Sequence, residues 1–279
     1  MTSPVDDGGR TRCAVLGSPI AHSLSPALHR AGYAELGLTG WSYDSYEVRE
    51  PELTGFVERC DDRWRGLSLT MPLKVAALQL GEVDATAALV GAANTLVFDD
   101  RGRRVFNTDV GGLVSALRQA GTQKVERVGV LGAGATARSA LASVASLGAT
   151  TVTVVARDLG KAEQLRPLAE AVGVELITSA WTAPLPAADL VISTVTAGAV
   201  DDRADQIAES APVIFDALYD PWPTALAAAA QRAGCTVVNG LDLLVGQAVL
   251  QIELMTGRSV RSEVLLAAGH AAVGTVPNR

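Results

Sequence analysis

The sequence predicts an α/β protein with two domains, the second of which is a doubly wound parallel sheet. Its 279 residues, 48% of them hydrophobic, are enough to form two separate cores. From Arg127 to Ala156 a strand, a glycine turn, a helix and a second strand follow one another without a long loop. Further strands and helices alternate on both sides of this unit. Because this alternation is typical of sheets covered by helices, the chain is assigned to the α/β class.

Charge and composition argue against several functional classes. The formal net charge is −7 and both signs are mixed along the chain, so we expect no nucleic acid or anionic membrane as partner. There is no run of about 18 apolar residues, and Met1 to Arg12 is polar, which predicts neither a membrane span nor a secretory signal and favours the cytoplasm. The distant Cys13, Cys60 and Cys235 predict reduced thiols. The three histidines lack metal-ligand spacing, so we expect no metal site.

The glycine turn has the spacing of a nucleotide-binding loop. An apolar strand from Val128 to Leu131 leads into Gly132-Ala-Gly-Ala-Thr-Ala137, which matches the pattern G-x-G-x-x-G/A. Gly132 permits the tight turn, Gly134 lets the backbone approach a pyrophosphate, and Ala137 keeps the helix close to the sheet. The free N–H groups at the start of the helix would then bind the phosphates. We therefore predict a dinucleotide site here.

The choice of dinucleotide depends on the end of the second strand. The helix runs to about Leu147, and the strand Thr151–Ala156 completes the βαβ unit. An NAD site usually has an acidic residue at this strand end, whereas Arg157 suits the 2′-phosphate of NADP. Asp158, one position later, keeps NAD open as the alternative. The sequence therefore favours NADP.

More strands and helices are predicted to extend the parallel sheet after Arg157. They are a helix over 160–172, strands over 189–194 and 213–216, a helix over 225–233 capped by Thr224, a strand over 236–238 and a helix over 241–256. The last helix carries Gln247 and Gln251 on an otherwise apolar face, where a glutamine needs a partner or a cleft. Residues 257–279 are expected to be helical in part and to fray.

Two serines lie near the start of the first predicted helix. The strand over 13–17 leads into a loop with Ser23, and Ser25 is predicted to be the N-cap of a helix that begins at Pro26. Capping would explain Ser25 but not Ser23. Two hydroxyls beside the N–H groups of a helix start are suited to a carboxylate or a phosphate.

Lys74 is distinguished from the other lysines by its position. A strand over 41–48, a helix over 51–60 and a strand over 66–70 are predicted, and the next helix is predicted to begin at Pro72. Lys74 would then lie in a first helical turn, where the helix dipole disfavours a cation by ~0.3–1 kcal/mol. A solvated surface lysine is the alternative, but an unfavourable charge at the carboxyl end of a buried strand favours a function.

A second polar cluster is predicted around Asp109. A strand over 91–98 contains Asn94, residues 99–102 form a hairpin turn, and a strand over 104–109 precedes the helix 110–119. Asn94 is a polar amide that opens an apolar strand, and such a residue often faces a cleft. Asp109 could be either a helix N-cap or a catalytic carboxylate. Residues 108–112 are the expected hinge between the two domains.

Six motifs, taken together and in order, resemble those of the shikimate dehydrogenases. They are Ser18-Pro-Ile-Ala-His-Ser-Leu-Ser-Pro26, Leu69-Thr-Met-Pro-Leu-Lys74, Gly91-Ala-Ala-Asn-Thr95, Asn107-Thr-Asp109, Gly132-Ala-Gly134 and Gly240-Leu-Asp-Leu-Leu-Val-Gly-Gln247. The resemblance implies an N-terminal α/β substrate-binding domain over 1–109, completed by C-terminal helices over 240–279. It implies a Rossmann-type, NADP-binding domain over 110–239.

The resemblance also implies a role for each candidate residue. The implied catalytic pair is Lys74 and Asp109. The implied substrate-binding residues are Ser23, Ser25 and Tyr219 at the carboxylate, and Thr70, Asn94 and Gln247 at the ring hydroxyls or the carboxylate. The implied cofactor-binding residues are Gly132, Ala133, Gly134 and Ala135 at the pyrophosphate, Arg157 at the 2′-phosphate, and Thr194 and Gly240 near the nicotinamide. Ala156-Arg157-Asp158 departs from the family's Asn-Arg-Thr clamp, which weakens the implied preference for NADP.

The implied activity is the reversible reduction of 3-dehydroshikimate to shikimate by NADPH, in chorismate and aromatic amino acid biosynthesis. Hydride would move to the C3 carbonyl, and Lys74, held by Asp109, would either donate a proton or only stabilise the developing alkoxide. Two other functions stay open: a paralogue that oxidises quinate with NAD, and an NADP-binding sensor without turnover. The protein would bind a small-molecule substrate and act as a monomer or a homodimer.

Overall fold

The chain divides into two compact units, each with one six-stranded sheet. The structure is a computed structural model that describes residue 9 and residues 11–273. The described residues up to Gly112 and from Leu244 onward form the first unit, and Leu113–Leu243 form the second. In the described part of the chain, no helix is both long enough and apolar enough to cross a membrane.

The first unit is built on a mixed sheet. Its strands are β1 (Arg12–Gly17), β2 (Ser42–Glu47), β3 (Trp64–Leu69), β4 (Glu82–Val83), β5 (Thr95–Asp99) and β6 (Gly102–Phe106), in the order β2-β1-β3-β5-β6-β4. β1 is parallel to β2 and β3, whereas β5 is antiparallel to β3 and β6. Because the carboxyl ends of β1 and β3 meet at one edge, the loops that carry Ser23 and Lys74 begin side by side.

Helices α1 (Ser25–Glu35), α2 (Leu53–Glu58) and α3 (Ala85–Val90) belong to the first unit. Its core contains Leu16, Leu67 and Leu96, one from each of three neighbouring strands, and none of them is exposed to solvent. Removing such side chains from water is the main stabilising term for a sheet of this kind.

The second unit is an all-parallel sheet. Its strands are β7 (Arg127–Leu131), β8 (Thr151–Ala156), β9 (Glu175–Ala180), β10 (Leu190–Ser193), β11 (Val213–Asp216) and β12 (Thr236–Asn239), in the order β12-β11-β10-β7-β8-β9. The direction of strand addition reverses between β7 and β10, and such a reversal is where doubly wound sheets bind ligands. The predicted fold class, an α/β chain with a Rossmann-type doubly wound sheet, is confirmed.

The described residues contain eight further α-helices. They are α4 (Asp109–Gln119), α5 (Ala135–Ser146), α6 (Leu159–Glu163), α7 (Arg166–Ala171), α8 (Ala204–Ala208), α9 (Ala225–Arg232), α10 (Gly240–Thr256) and α11 (Ser262–Val273). The chain passes from the first unit to the second along α4 and returns along α10. The segment 257–279, which was predicted to be helical in part and to fray, contains α11, and its last residues, 274–279, lie outside the described residues.

Several predicted boundaries in the second unit agree with the structure, and other features, among them the unpredicted α8, differ. β8 and β11 have the predicted bounds, and Thr224 caps α9 by accepting the Ala227 N–H. The helix predicted over 160–172 is two helices, because Pro167 has no N–H to donate and lies in the first turn of α7. β9 was not predicted; as an edge strand it buries only part of its surface.

Two predictions for the first unit are wrong. Ser25 is not an N-cap: α1 begins at Ser25 itself, Leu24 is in the cap position with helical backbone angles, and no side chain caps the helix. The helix predicted from Pro72 is also absent, because the Leu73 N–H closes a tight turn onto the Thr70 carbonyl. Residues 71–75 form turns, and a 3₁₀ helix follows at Ala76–Gln79. The helix-dipole argument for Lys74 therefore does not apply.

Candidate active site

An ion pair between Lys74 and Asp109 is the centre of the candidate site in the first unit. Lys74 Nζ lies 2.6 Å from Asp109 Oδ2, and the two side chains are 18% and 8% exposed. A charged pair this close and this shielded interacts much more strongly than one on an open surface. Lys74 reaches it from the turns that follow β3, and Asp109 from the first residue of α4.

The start of α4 is capped by Asn107 rather than by Asp109. The Val110 N–H donates to Asn107 Oδ1 at 3.2 Å, and Asn107 Nδ2 donates to the Ala92 carbonyl at 2.9 Å. Asp109 instead accepts from Lys74 on one oxygen and from Asn94 Nδ2, at 2.9 Å, on the other. The two oxygens of Asp109 therefore have side-chain partners outside α4. Asn107, which was not among the predicted site residues, caps the helix.

The Asn94 amide has only one orientation that its neighbours permit. The Thr108 backbone N–H, which can only donate, lies 2.8 Å from Asn94 Oδ1. The amide nitrogen must therefore face Asp109. Asn94 Nδ2 also lies 3.4 Å from Gln247 Oε1, and Gln247 Nε2 donates to the Leu244 carbonyl at 2.8 Å. Asn94 and Gln247 thus join the ion pair in one buried cluster, with exposures of 3% and 5%.

The proposed substrate serines lie on the neighbouring loop of the same unit. The Ser25 N–H donates to Ser23 Oγ at 3.4 Å, and Ser25 is buried while Ser23 is half-buried. The loops after β1 and β3 lie close together: a Cβ on Gly17 would clash with Thr70 Cγ2. Among the described residues, no hydrogen bond joins Ser23, Ser25 or Thr70 to the cluster of Lys74, Asp109, Asn94 and Gln247.

The glycine turn in the second unit has the geometry that a pyrophosphate site needs. Gly132 has φ +104°, and a Cβ on it would meet Thr194 Oγ1 at 2.5 Å, so only glycine fits. Gly134 is the N-cap of α5, and a Cβ there would meet no atom within 4 Å. Open space therefore lies beside the N–H groups at the start of α5, where Ala133 and Ala135 flank Gly134.

Two further residues of the second unit have defined surroundings. Thr194 Oγ1 donates to the Leu131 carbonyl at 2.8 Å, which ties the end of β10 to the end of β7. Gly240 lies close to the chain after β11, since a Cβ on it would clash with the Ala217 carbonyl oxygen. Both residues therefore lie at the carboxyl ends of the parallel strands, where this fold binds its ligand.

Arg157 and Asp158 differ in their availability to a ligand. Arg157 is exposed, and no hydrogen bond or ion pair to it is found among the described residues. Asp158 is the N-cap of α6, where its Oδ1 accepts the Lys161 N–H at 3.1 Å. The guanidinium is therefore available, while the carboxylate is engaged by the helix that follows.

Tyr219 follows β11, and burial raises the pKa of its phenol. The nearby Asp216, which the sequence did not single out, is 1% exposed. Thr224 Oγ1 donates to Asp216 Oδ2 at 2.7 Å, and burial nevertheless raises the pKa of this carboxyl group. Asp216 therefore fixes the residue that caps α9. No sequence pattern indicates this role of Asp216, because its partner Thr224 lies beyond the intervening loop.

Comparisons with known proteins match both units. Residues 15–96 match the family described as shikimate dehydrogenase substrate binding domain, and residues 115–214 match shikimate / quinate 5-dehydrogenase. A relative from Methanothermobacter thermautotrophicus, named shikimate dehydrogenase (NADP(+)), is 33% identical over 263 residues, covering 90% of this chain and 93% of the relative.

Two solved structures are similar along nearly the whole chain. The shikimate dehydrogenase of Mycobacterium tuberculosis is 42% identical with a TM-score of 0.88, over 94% of this chain and 99% of that one. The enzyme of Thermus thermophilus, solved with NADP(H) and shikimate, is 31% identical with a TM-score of 0.81, again over 94% and 99%.

Proposed function

Because the chain belongs to the shikimate dehydrogenase family, we propose that it catalyses the reversible, NADP-dependent reduction of 3-dehydroshikimate to shikimate. This is an oxidoreductase step of chorismate and aromatic amino acid biosynthesis. The observation that carries the proposal is the shielded ion pair of Lys74 and Asp109, which offers a proton donor held by a carboxylate. Relatives named for this activity share both units with the chain.

Lys74 acts on the oxygen of the substrate carbonyl. NADPH, when bound, supplies the hydride that reaches the carbonyl carbon. As that oxygen gains negative charge, Lys74 Nζ stabilises it by donating an N–H, and it either transfers the proton or keeps it. Asp109 holds the ammonium in place, and Asn94 fixes the second oxygen of Asp109. The pair is therefore preorganised for a charge that develops only during the reaction.

Six polar residues bind and orient the substrate. Ser23 and Ser25 bind its carboxylate, with Tyr219 as a third contact, and Thr70, Asn94 and Gln247 bind its ring hydroxyls or its carboxylate. The Ser25 N–H donates to Ser23 Oγ, so Ser23 keeps its own hydroxyl proton to donate to a carboxylate, which supports the assignment.

The second unit binds the dinucleotide. Gly132, Ala133, Gly134 and Ala135 receive the pyrophosphate at the start of α5, and the open space beside Gly134 supports this assignment. Thr194 and Gly240 lie at the nicotinamide half. Arg157, which is exposed and has no partner among the described residues, pairs with the 2′-phosphate.

The deciding experiment is a steady-state assay with shikimate and quinate, each with NADP⁺ and with NAD⁺. We expect the highest kcat/KM with shikimate and NADP⁺. A higher value with quinate and NAD⁺ would assign the chain to the alternative paralogue. Absence of turnover with every pair, together with tight NADPH binding, would instead assign it to the sensor class.

We also propose that the protein works in the cytoplasm as a monomer or a homodimer. Cys13, Cys60 and Cys235 are free thiols, as expected in a reducing compartment. Sedimentation velocity at several concentrations distinguishes the monomer from the dimer.

A further inference from the structure

A chain of buried hydrogen bonds runs from β2 to the candidate catalytic pair within the first unit. Tyr43 Oη donates to Ser68 Oγ at 2.6 Å, and Ser68 Oγ donates to Gln251 Oε1 at 2.7 Å. Gln251 Nε2 donates to Thr95 Oγ1 at 2.9 Å, and Thr95 Oγ1 donates to Asn94 Oδ1 at 3.0 Å. The chain then reaches the carboxylate, since Asn94 Nδ2 donates to Asp109 Oδ1.

The direction of the links at Ser68 and Gln251 is determined by groups that can act in only one way, and Asn94 Oδ1 lies closer to the Thr95 hydroxyl, at 3.0 Å, than Thr108 Oγ1 does, at 3.5 Å. The carbonyl oxygen of Asn94, which can only accept, lies 3.2 Å from Gln251 Nε2, so the oxygen of that glutamine faces Ser68. Because Gln251 donates to Thr95 Oγ1, the hydroxyl proton of Thr95 is free for Asn94 Oδ1. Burial raises the pKa of Tyr43 well above its ordinary value, so its phenol stays a donor.

Gln251 has four hydrogen-bond partners, of which Ser68, Thr95 and the Asn94 carbonyl are described above. Its oxygen also accepts from His29 Nε2 at 3.1 Å, and burial lowers the pKa of His29 to about 3, so that imidazole is neutral. Gln251, Thr95 and Asn94 are 1%, 0% and 3% exposed. Water therefore cannot replace a donor that is lost from this chain, and aligned hydrogen bonds in a dry interior strengthen one another.

We propose that Gln251 is a positioning residue, which holds the Asn94 amide against Asp109 through this one-way chain of hydrogen bonds and so adds to the Thr108 N–H, which determines which way that amide faces. The expected effect of Gln251 on turnover rests on the proposed function, whereas its effect on the Asn94 amide does not. Gln251 lies on α10, one helical turn beyond Gln247, and among the described residues no hydrogen bond joins it to Lys74 or Asp109. It acts on the pair only through Thr95 and Asn94.

The test uses Gln251→Met, which keeps the length of the side chain and removes every hydrogen bond. Thr95→Val breaks the same chain at the next link with little change of shape. The matched control is Thr256→Val, on the same helix, which removes a buried hydroxyl bound only to the carbonyls of Ile252 and Arg258 and to the Arg258 N–H. For each full-length variant we measure kcat, the KM for NADPH and the free energy of unfolding.

We expect kcat to fall about tenfold in Gln251→Met and in Thr95→Val, the factor that ~1.4 kcal/mol represents. The double variant should lose little more than either single one, because both break one chain. The KM for NADPH should not change, and Thr256→Val should keep the parent's kcat. Independent losses in the double variant would overturn the proposal.

A second readout does not depend on activity. The chain has four asparagines, so selective ¹⁵N labelling resolves the Asn94 side-chain amide in the unliganded protein. We expect its NH₂ protons to exchange with water faster in Gln251→Met and in Thr95→Val than in the parent or Thr256→Val. Unchanged exchange in both variants would refute the role of Gln251. Absence of turnover in the parent would refute only the proposed function.

Discussion

Lys74 lies 2.6 Å from Asp109 in a shielded part of the first unit, and its removal leaves that carboxylate without a counter-ion. We expect Lys74→Ala to lower kcat by roughly 10²–10⁴, the range for losing a positioned acid or base. The variant should still fold and bind NADPH, although the unpaired buried carboxylate lowers its free energy of unfolding. Lys124→Ala, at an exposed lysine, is the control. A fall of less than about tenfold in Lys74→Ala would mean that the lysine is a bystander.

Ser23 and Ser25 are expected to act on the substrate and not on the cofactor. Ser23→Ala and Ser25→Ala should each raise the KM for shikimate and leave the KM for NADPH unchanged. Since Leu24 and not Ser25 lies in the cap position of α1, we do not expect the ~0.5–2 kcal/mol loss of a helix cap in Ser25→Ala. Urea unfolding measures this, and an unchanged KM in both variants would remove the carboxylate assignment.

Arg157 is the side chain on which the cofactor preference depends. A guanidinium can form charge-assisted hydrogen bonds to a 2′-phosphate worth ~1.5–3 kcal/mol each, and its exposure favours the low end of that range. We expect Arg157→Ala to lower the ratio of kcat/KM with NADPH to that with NADH, at one salt concentration. A ratio that does not change, or that favours NADH in the parent, would show that Arg157 does not bind the cofactor.

In the turn between β7 and α5, one glycine is expected to matter for stability and another for binding the cofactor. Gly132→Ala puts a side chain at φ +104° against Thr194, and such strain costs ~1–3 kcal/mol of stability. Gly134→Ala meets no atom within 4 Å at φ −88°, so its loss of stability should stay within about 1 kcal/mol.

The same Gly134→Ala methyl group enters the space proposed for the pyrophosphate. We therefore expect its dissociation constant for NADPH to rise at least about tenfold, as measured by fluorescence titration, since a phosphate that cannot approach the N–H groups loses more than ~1.4 kcal/mol. If Gly134→Ala binds NADPH as tightly as the parent, the pyrophosphate does not lie at this turn.

At the scale of the whole molecule, His29 makes stability depend on pH. Burial lowers the pKa of His29 from 6.5 to about 3, only partly opposed by Gln251. Between pH 6.5 and about pH 3, His29 is protonated in the unfolded chain but not in the folded chain. The free energy of unfolding therefore falls as the pH falls. The rings around it, Tyr33 and Tyr43, carry no charge there, because burial raises the pKa of both phenols.

We expect the parent to lose about 2 kcal/mol more stability between pH 7.5 and pH 5 than His29→Gln, which cannot titrate. Urea unfolding of both proteins at the two pH values measures the difference, and groups common to both proteins cancel. Equal losses in parent and variant would show that His29 is protonated in the folded state.

The amino-acid sequence by itself determined the class of the fold and the type of most elements. The apolar run before Gly132 predicted β7, the small residues of the turn predicted α5, and the bounds of β8 and β11 agree with the structure. These features could be predicted because hydrophobic periodicity and turn chemistry are local properties of the chain.

The tertiary structure alone decided the surroundings of the candidate catalytic pair. Three local features were not predicted from the sequence: the turns around Lys74, the capping of α4 by Asn107 and the absence of a cap at Ser25. Gln251 and Asn94 are 157 residues apart, and only the packing of α10 beside β5 makes them partners. A buried polar group takes whichever partner the folded chain brings near, because water is absent, and no short stretch of sequence specifies that partner.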